Sequence, residues 1–86
     1  MKEATLRSKG IEPTNINTCI KGSIIIENFL TKQRHIYYGY FVILKDGRIF
    51  QHSIYHVRFQ LITSDLNSEK YTIKGDFIHY SLLPKN

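Results

Sequence analysis

The sequence predicts a mainly β domain, a small, strongly curled antiparallel sheet or barrel of about five strands, with an arm or short helix at its N-terminus. β-branched and aromatic residues crowd the stretch from Ile36 to Ile62, which is broken at Asp46-Gly47 by a strong hairpin-turn dipeptide. Of the 86 residues, 42% are hydrophobic and 13% aromatic, too apolar a composition for a disordered chain. No internal repeat, low-complexity run or Pro/Gly/Ser linker divides the sequence, so residues 18–86 read as one β domain behind a segment 1–17. A chain of this size buries only about 60% of the surface it exposes when unfolded, and the aromatics must supply much of its core.

The elements follow in order. Met1 to Lys9 has the composition of a short helix stopped by Gly10, but Glu12-Pro13-Thr14-Asn15 is turn chemistry and no apolar face is sustained, which leaves an arm as the other reading. Thr18 to Leu30 is dense in β-branched residues and reads as a strand, with Gly22 as a bulge or a point of close approach. Thr31-Lys32-Gln33 is a polar turn, Arg34 to Leu44 a second strand, and a third begins at Arg48. After a loop from Thr63 to Glu69, with a helical turn capped by Ser64, Lys70 to Lys74 and Phe77 to Leu83 read as a last hairpin around Gly75-Asp76. One long bent strand is the alternative there.

A two-residue type I′ loop at Asp46-Gly47 would set Lys45 against Arg48, Leu44 against Ile49, Val42 against Gln51, Tyr40 against Ser53 and Tyr38 against Tyr55. The opposite face would then hold Phe41 with His52, Gly39 with Ile54, Tyr37 with His56 and His35 with Arg58. That face becomes polar and aromatic away from the turn. A hairpin buried on both sides at one end and on one side at the other suits a sheet curling into a small barrel, with Gly39 as a bending point.

Net charge is +5, and its distribution matters more than its sum. Residues 1–34 carry +3, residues 35–60 carry +2, and residues 61–86 balance. A basic N-terminal segment and hairpin attract phosphate backbones or acidic proteins. The one cysteine, Cys19, forms no internal disulfide, which fits a reducing compartment. Because no apolar run follows Met1 to Arg7 and none elsewhere is long enough to span a bilayer, a cytoplasmic protein without membrane attachment is expected.

Catalytic and metal chemistry find little support. His52 and His56 would suit a metal on a helix, but four residues of strand span about 13 Å and the two cannot share an ion. Nothing in the sequence pairs Cys19 with a histidine base, and Asp46 and Asp76 are accounted for by turns. The expectation is no enzyme, no metal and no cofactor, although small toxin-type nucleases act through scattered basic and histidine residues that leave no linear motif.

The interleaving of Tyr, Phe, His and Arg is the stronger signal. Exposed rings on a sheet offer faces to unstacked bases, while Arg and Lys neutralise phosphates. His35, Tyr37, His56 and Arg58 are the first candidates, although for any one tyrosine a place at the rim of a small core is the commoner role.

Gly22-Ser23-Ile24 followed by Phe29, then Tyr40-Phe41-Val42-Ile43-Leu44, then Ile49-Phe50-Gln51-His52-Ser53-Ile54, resembles the order of elements in the bacterial Sm-like RNA chaperone (Hfq) family. Gln51 stands where that family has lysine. Tyr38-Gly39-Tyr40-Phe41-Val42 and Ile49-Phe50-Gln51-His52 also resemble cold-shock domain segments. Both resemblances lie within Lys21 to Val57, and both imply a small, strongly bent β-barrel that binds RNA or single strands. The Sm-like resemblance implies Gln51 and His52 near an RNA pocket. The cold-shock resemblance implies Tyr38, Tyr40, Phe50 and His52 on a stacking face.

The expected function is therefore binding of single-stranded RNA or DNA by stacking and phosphate neutralisation, through His35, Tyr37, Tyr38, Tyr40, Gln51, His52, His56 and Arg58. The rival is a small protein-binding module, an inhibitor or adaptor of the kind mobile elements carry, that uses a hairpin edge or a Tyr-rich face. Long strands with open edges also lead us to expect a homo-oligomer.

Overall fold

The computed structural model describes residues 11–53, 58–63 and 68–84. Five strands form one antiparallel sheet: β1 (Ile16–Asn28), β2 (Arg34–Leu44), β3 (Ile49–His52), β4 (Gln60–Thr63) and β5 (Glu69–Ile78), in the order β4-β3-β2-β1-β5. Short 3₁₀ turns lie at Pro13–Asn15 and Tyr80–Leu82. The mainly β architecture of about five strands is the one the sequence predicts. The sheet is open rather than closed and is not strongly curled, since β4 and β5 stand at opposite edges.

β1 is central to the long part of the molecule. It is flanked by β2 from Glu27↔Arg34 to Ile16↔Leu44 and by β5 from Asn28↔Glu69 to Cys19↔Ile78. Its β-branched run suits this double pairing, because side chains at alternate positions pack on either face. The β1–β2 connection is an Asx turn in which Asn28 Oδ1 accepts the amides of Leu30 and Thr31. Lys32, at φ 63°, completes the reversal.

The connection at Asp46-Gly47 differs from the expected type I′ loop. Gly47 N donates to Leu44 O and Leu44 N to Arg48 O, and only Gly47, at φ 96°, takes positive φ. This is a three-residue loop, Lys45-Asp46-Gly47, with glycine in the left-handed position. Asp46 keeps negative φ and uses its carboxylate instead, Oδ1 accepting Arg48 N and Oδ2 accepting Arg48 Nε. The extra loop residue moves the register by one: Val42 faces Phe50, Phe41 faces Gln51 and Tyr40 faces His52. A one-residue slip exchanges the faces of a whole strand, so the expected pairs of Val42 with Gln51, Phe41 with His52 and Tyr40 with Ser53 are replaced, while those that involve residues 54–57 lie outside the described residues.

Two further expectations change. The arm beginning at Arg48 does not run on to Ile62. β3 ends at His52, and β4 turns back on it with Phe50 against Leu61 and Gln51 against Gln60. The last hairpin around Gly75-Asp76 is not formed; the alternative reading, one long strand, is the one found, and this strand, β5, passes through Gly75 at φ 145°. Gly22 is a point of close approach, whereas the irregularity in β1 falls between Ile16 and Thr18. The helix expected over Met1 to Lys9 and the turn capped by Ser64 lie outside the described residues.

The sheet has an apolar cluster on each face. On one, Cys19, Val42, Leu44 and Phe50 pack with Ile11, Phe59 and Leu83, which come from segments flanking the strands. On the other, Ile20, Ile24, Ile26, Phe41, Ile43 and Ile49 pack with the partly buried Tyr37, Ile62 and Ile73. Burying each such Ile or Phe contributes roughly 1.5–3 kcal/mol relative to leaving it exposed. The core therefore lies mainly at the β3 end of the long strands.

Candidate functional site

Strand parity and register decide which candidate side chains meet. Along β2, Tyr40, Tyr38 and Ile36 share one face; their β1 neighbours are Lys21, Ser23 and Ile25, and the β5 residues beyond are Asp76, Lys74 and Thr72. We call this the tyrosine face. His35 and Tyr37 alternate onto the other, isoleucine face, opposite Ile26 and Ile24.

The tyrosine face is open where it leaves the core. Tyr38 is 65% exposed and Ile36 54% exposed. The Lys21 ammonium sits 5.6 Å from the centre of the Tyr40 ring, within cation–π range, and Lys74 stands exposed two strands across from Tyr38. Ser23, between them, donates its hydroxyl to Lys74 O at 3.5 Å. At the far end Glu27 lies 3.8 Å from Arg34 and 4.0 Å from Lys70. Four cations, Lys21, Arg34, Lys70 and Lys74, thus share the face with two carboxylates, Glu27 and Asp76. At the near end Tyr40, His52, Gly39, Ser53 and Pro84 line a cleft of about 210 Å³.

The candidate residues sort accordingly. Tyr38, Tyr40 and His52 belong to the tyrosine face, and the His52 ring also packs 5.1 Å from that of Phe59. Tyr37 is half-buried against the isoleucine cluster, with the exposed His35 ring 6.4 Å away. Gln51 is buried and its Nε2 donates to Tyr38 O at 2.7 Å, a structural bond between β3 and β2. Arg58 is exposed just before β4, on the β3 side of the sheet, whereas His35 pairs with Ile26 on the arm that β3 does not reach. The expected pairing of His35 with Arg58 is therefore not formed. His56 lies outside the described residues.

Lys21, Ser23 and Lys74 are not among the candidates that the sequence suggests. The polar turn at residues 31–33 does not find the first two: pairing outward from it would set Lys21 opposite Ile43 and Ser23 opposite Phe41, and only the longer connection, in which Glu27 faces Arg34, puts Lys21 beside Tyr40 and Ser23 beside Tyr38. Among the described residues, no three His, Cys, Asp or Glu side chains gather as a metal-binding group. No helix among them is long and apolar enough to cross a membrane.

Fold and face together define a small, open-sheet β domain that presents tyrosines and lysines side by side. Compared with known protein families, curated proteins and solved structures, the chain matches none.

Proposed function

We propose that the protein binds single-stranded RNA or DNA on the tyrosine face, as a binder rather than an enzyme. The observation that carries this reading is the exposed Tyr38 ring set among lysines: Lys21 against the adjacent Tyr40, and Lys74 across Ser23. An exposed ring stacks on any base, and nearby ammonium groups neutralise the phosphates that accompany it, so this arrangement favours binding with little sequence preference. The Sm-like and cold-shock resemblances point to the same ligand class, and of their residue sets Tyr38, Tyr40, Phe50 and His52 lie on this face, with Phe50 buried in its apolar cluster.

The test is binding of a labelled random single-stranded RNA and DNA at two salt concentrations. Affinity falling with salt supports the reading, and Lys21→Ala or Lys74→Ala then flattens the log–log slope by about 0.7 for each phosphate no longer neutralised. No binding at low salt defeats it. A second reading, a protein-binding module, is favoured by a different observation: Phe77 is 71% exposed on the edge strand β5, an apolar group suited to a protein surface.

A further inference from the structure

The outer edge of β5 is a long strand edge that no described strand pairs with, and its residues Lys70, Thr72, Lys74, Asp76 and Phe77 are all exposed. Such an edge invites another strand unless its side chains forbid the approach. Lysines on an edge normally do forbid it. Here their effect depends on register, because Asp76 supplies the opposite charge at a fixed distance along the same strand.

A second copy of this strand can add antiparallel about a two-fold axis perpendicular to the sheet, which keeps each face continuous and places the axis on one residue. With the axis on Thr72, Lys70 meets the partner's Lys74. With the axis on Lys74, that lysine meets its own copy. Both are like-charge contacts of the kind that oppose pairing. With the axis on Ile73, Lys70 meets the partner's Asp76 and the symmetry repeats the contact, giving two opposite-charge pairs. Ile73 then faces the partner's Ile73, and Tyr71 faces the partner's Gly75. This ladder uses Glu69 to Phe77, nearly the whole strand. An axis on Gly75 also matches charges, Lys74 with the partner's Asp76, but it uses only Thr72 to Ile78 and sets Gly75 against its own copy.

We infer that the protein forms a two-fold dimer through β5, centred on Ile73, which joins two five-stranded sheets into one and brings both tyrosine faces to the same side. The experiment is sedimentation velocity of the full chain, without nucleic acid, over a wide concentration range, so its outcome is independent of the binding reading. Wild-type protein is expected to dimerise. Asp76→Lys creates two like-charge contacts and is expected to raise the dissociation constant about tenfold. Adding Lys70→Asp to Asp76→Lys restores the charge match and the dimer, whereas adding Lys74→Asp leaves the Lys70 clash in place and does not.

Melting curves show whether each variant stays folded. Mixing Thr72→Cys chains with Lys74→Cys chains under mild oxidation gives a second readout, a cross-linked heterodimer that the Ile73 register requires. A monomeric wild type, a swap at residues 70 and 76 that remains as weak as Asp76→Lys alone, or an absent cross-link overturns the inference.

Discussion

Gly22 and Gly75 face each other across β1 and β5, so closely that neither position has room for a side chain. A Cβ on Gly22 would stand 2.3 Å from Lys74 O, and one on Gly75 would stand 2.4 Å from Lys21 O. Gly39 is Gly22's partner on the other side, so three glycines align across three strands. They lie between the core end of the sheet and the arm that carries Tyr38.

Gly22→Ala is therefore expected to cost about 3 kcal/mol, because it combines an unfavourable φ of 153° with a backbone collision that no side-chain rotation relieves. Gly75→Ala is expected to cost a similar amount, and the double substitution less than the sum, since both disturb the same close approach. Chemical denaturation of the three variants checks this. Single variants within about 0.5 kcal/mol of wild type would mean that the strands separate easily at this line.

The turn at Asp46 gives a pH dependence. The Asp46 carboxylate lies below its ordinary value of 3.8 because it accepts the Arg48 backbone amide and then the Arg48 side chain. A carboxylate depressed in the folded state stabilises the fold above its unfolded pKa, and that contribution is lost as pH falls through the folded one. Stability is expected to decline as the solution is acidified below the usual carboxylate range, and Asp46→Asn is expected to flatten that part of the decline. Denaturant midpoints measured through the acid range for both proteins decide it. Parallel acid limbs would show that the Asp46–Arg48 bonds add nothing in solution.

The same turn shows how far the sequence can be read. Asp-Gly marks the reversal correctly, but it serves both a two-residue loop with positive φ at each position and a three-residue loop with glycine alone in that region. The choice is made by longer-range packing: in the observed register Phe50 joins Val42 in one cluster and Ile49 joins Ile43 in the other. The β-branched pattern, which depends only on neighbouring residues, is enough for the strand content. Site geometry depends on register, and a one-residue difference moves His52 to the face of Tyr40 and Gln51 beneath Tyr38 O. Gly22, Gly39 and Gly75 are each visible in the sequence, but their alignment becomes visible only when both pairings of β1 are known.

Cys19 is buried in the cluster with Val42 and Phe50, and that burial pushes its thiol up to about 11 from 9.0. Near neutral pH this leaves roughly a hundredfold less thiolate than in an exposed cysteine, and access is blocked as well. Thiol reagents are expected to label the native protein slowly and the denatured protein at once. Between the two pKa values the unfolded chain releases this proton while the folded chain keeps it, so stability falls as pH rises through that window. Cys19→Ala removes this component of the alkaline slope, although it costs stability at every pH. Rapid native labelling at about pH 8 would contradict the buried placement.

Tyr37 and Tyr38 are neighbours in sequence on opposite faces, and together they form the sharpest test of the binding face. Tyr37 packs on the isoleucine cluster, opposite Ile24, so Tyr37→Ala is expected to remove about 1–2 kcal/mol of stability while leaving nucleic-acid affinity unchanged in the folded fraction. Tyr38 is largely exposed, so Tyr38→Ala is expected to change stability by less than about 0.5 kcal/mol. Loss of one stacked base would weaken binding about tenfold. Tyr38→Phe keeps the ring and should bind like wild type, which separates stacking from hydrogen bonding by the hydroxyl. Titrations and melting curves on the three variants give the answer. If Tyr37→Ala weakens binding and Tyr38→Ala does not, the ligand lies on the isoleucine face and the assignment of the tyrosine face is wrong.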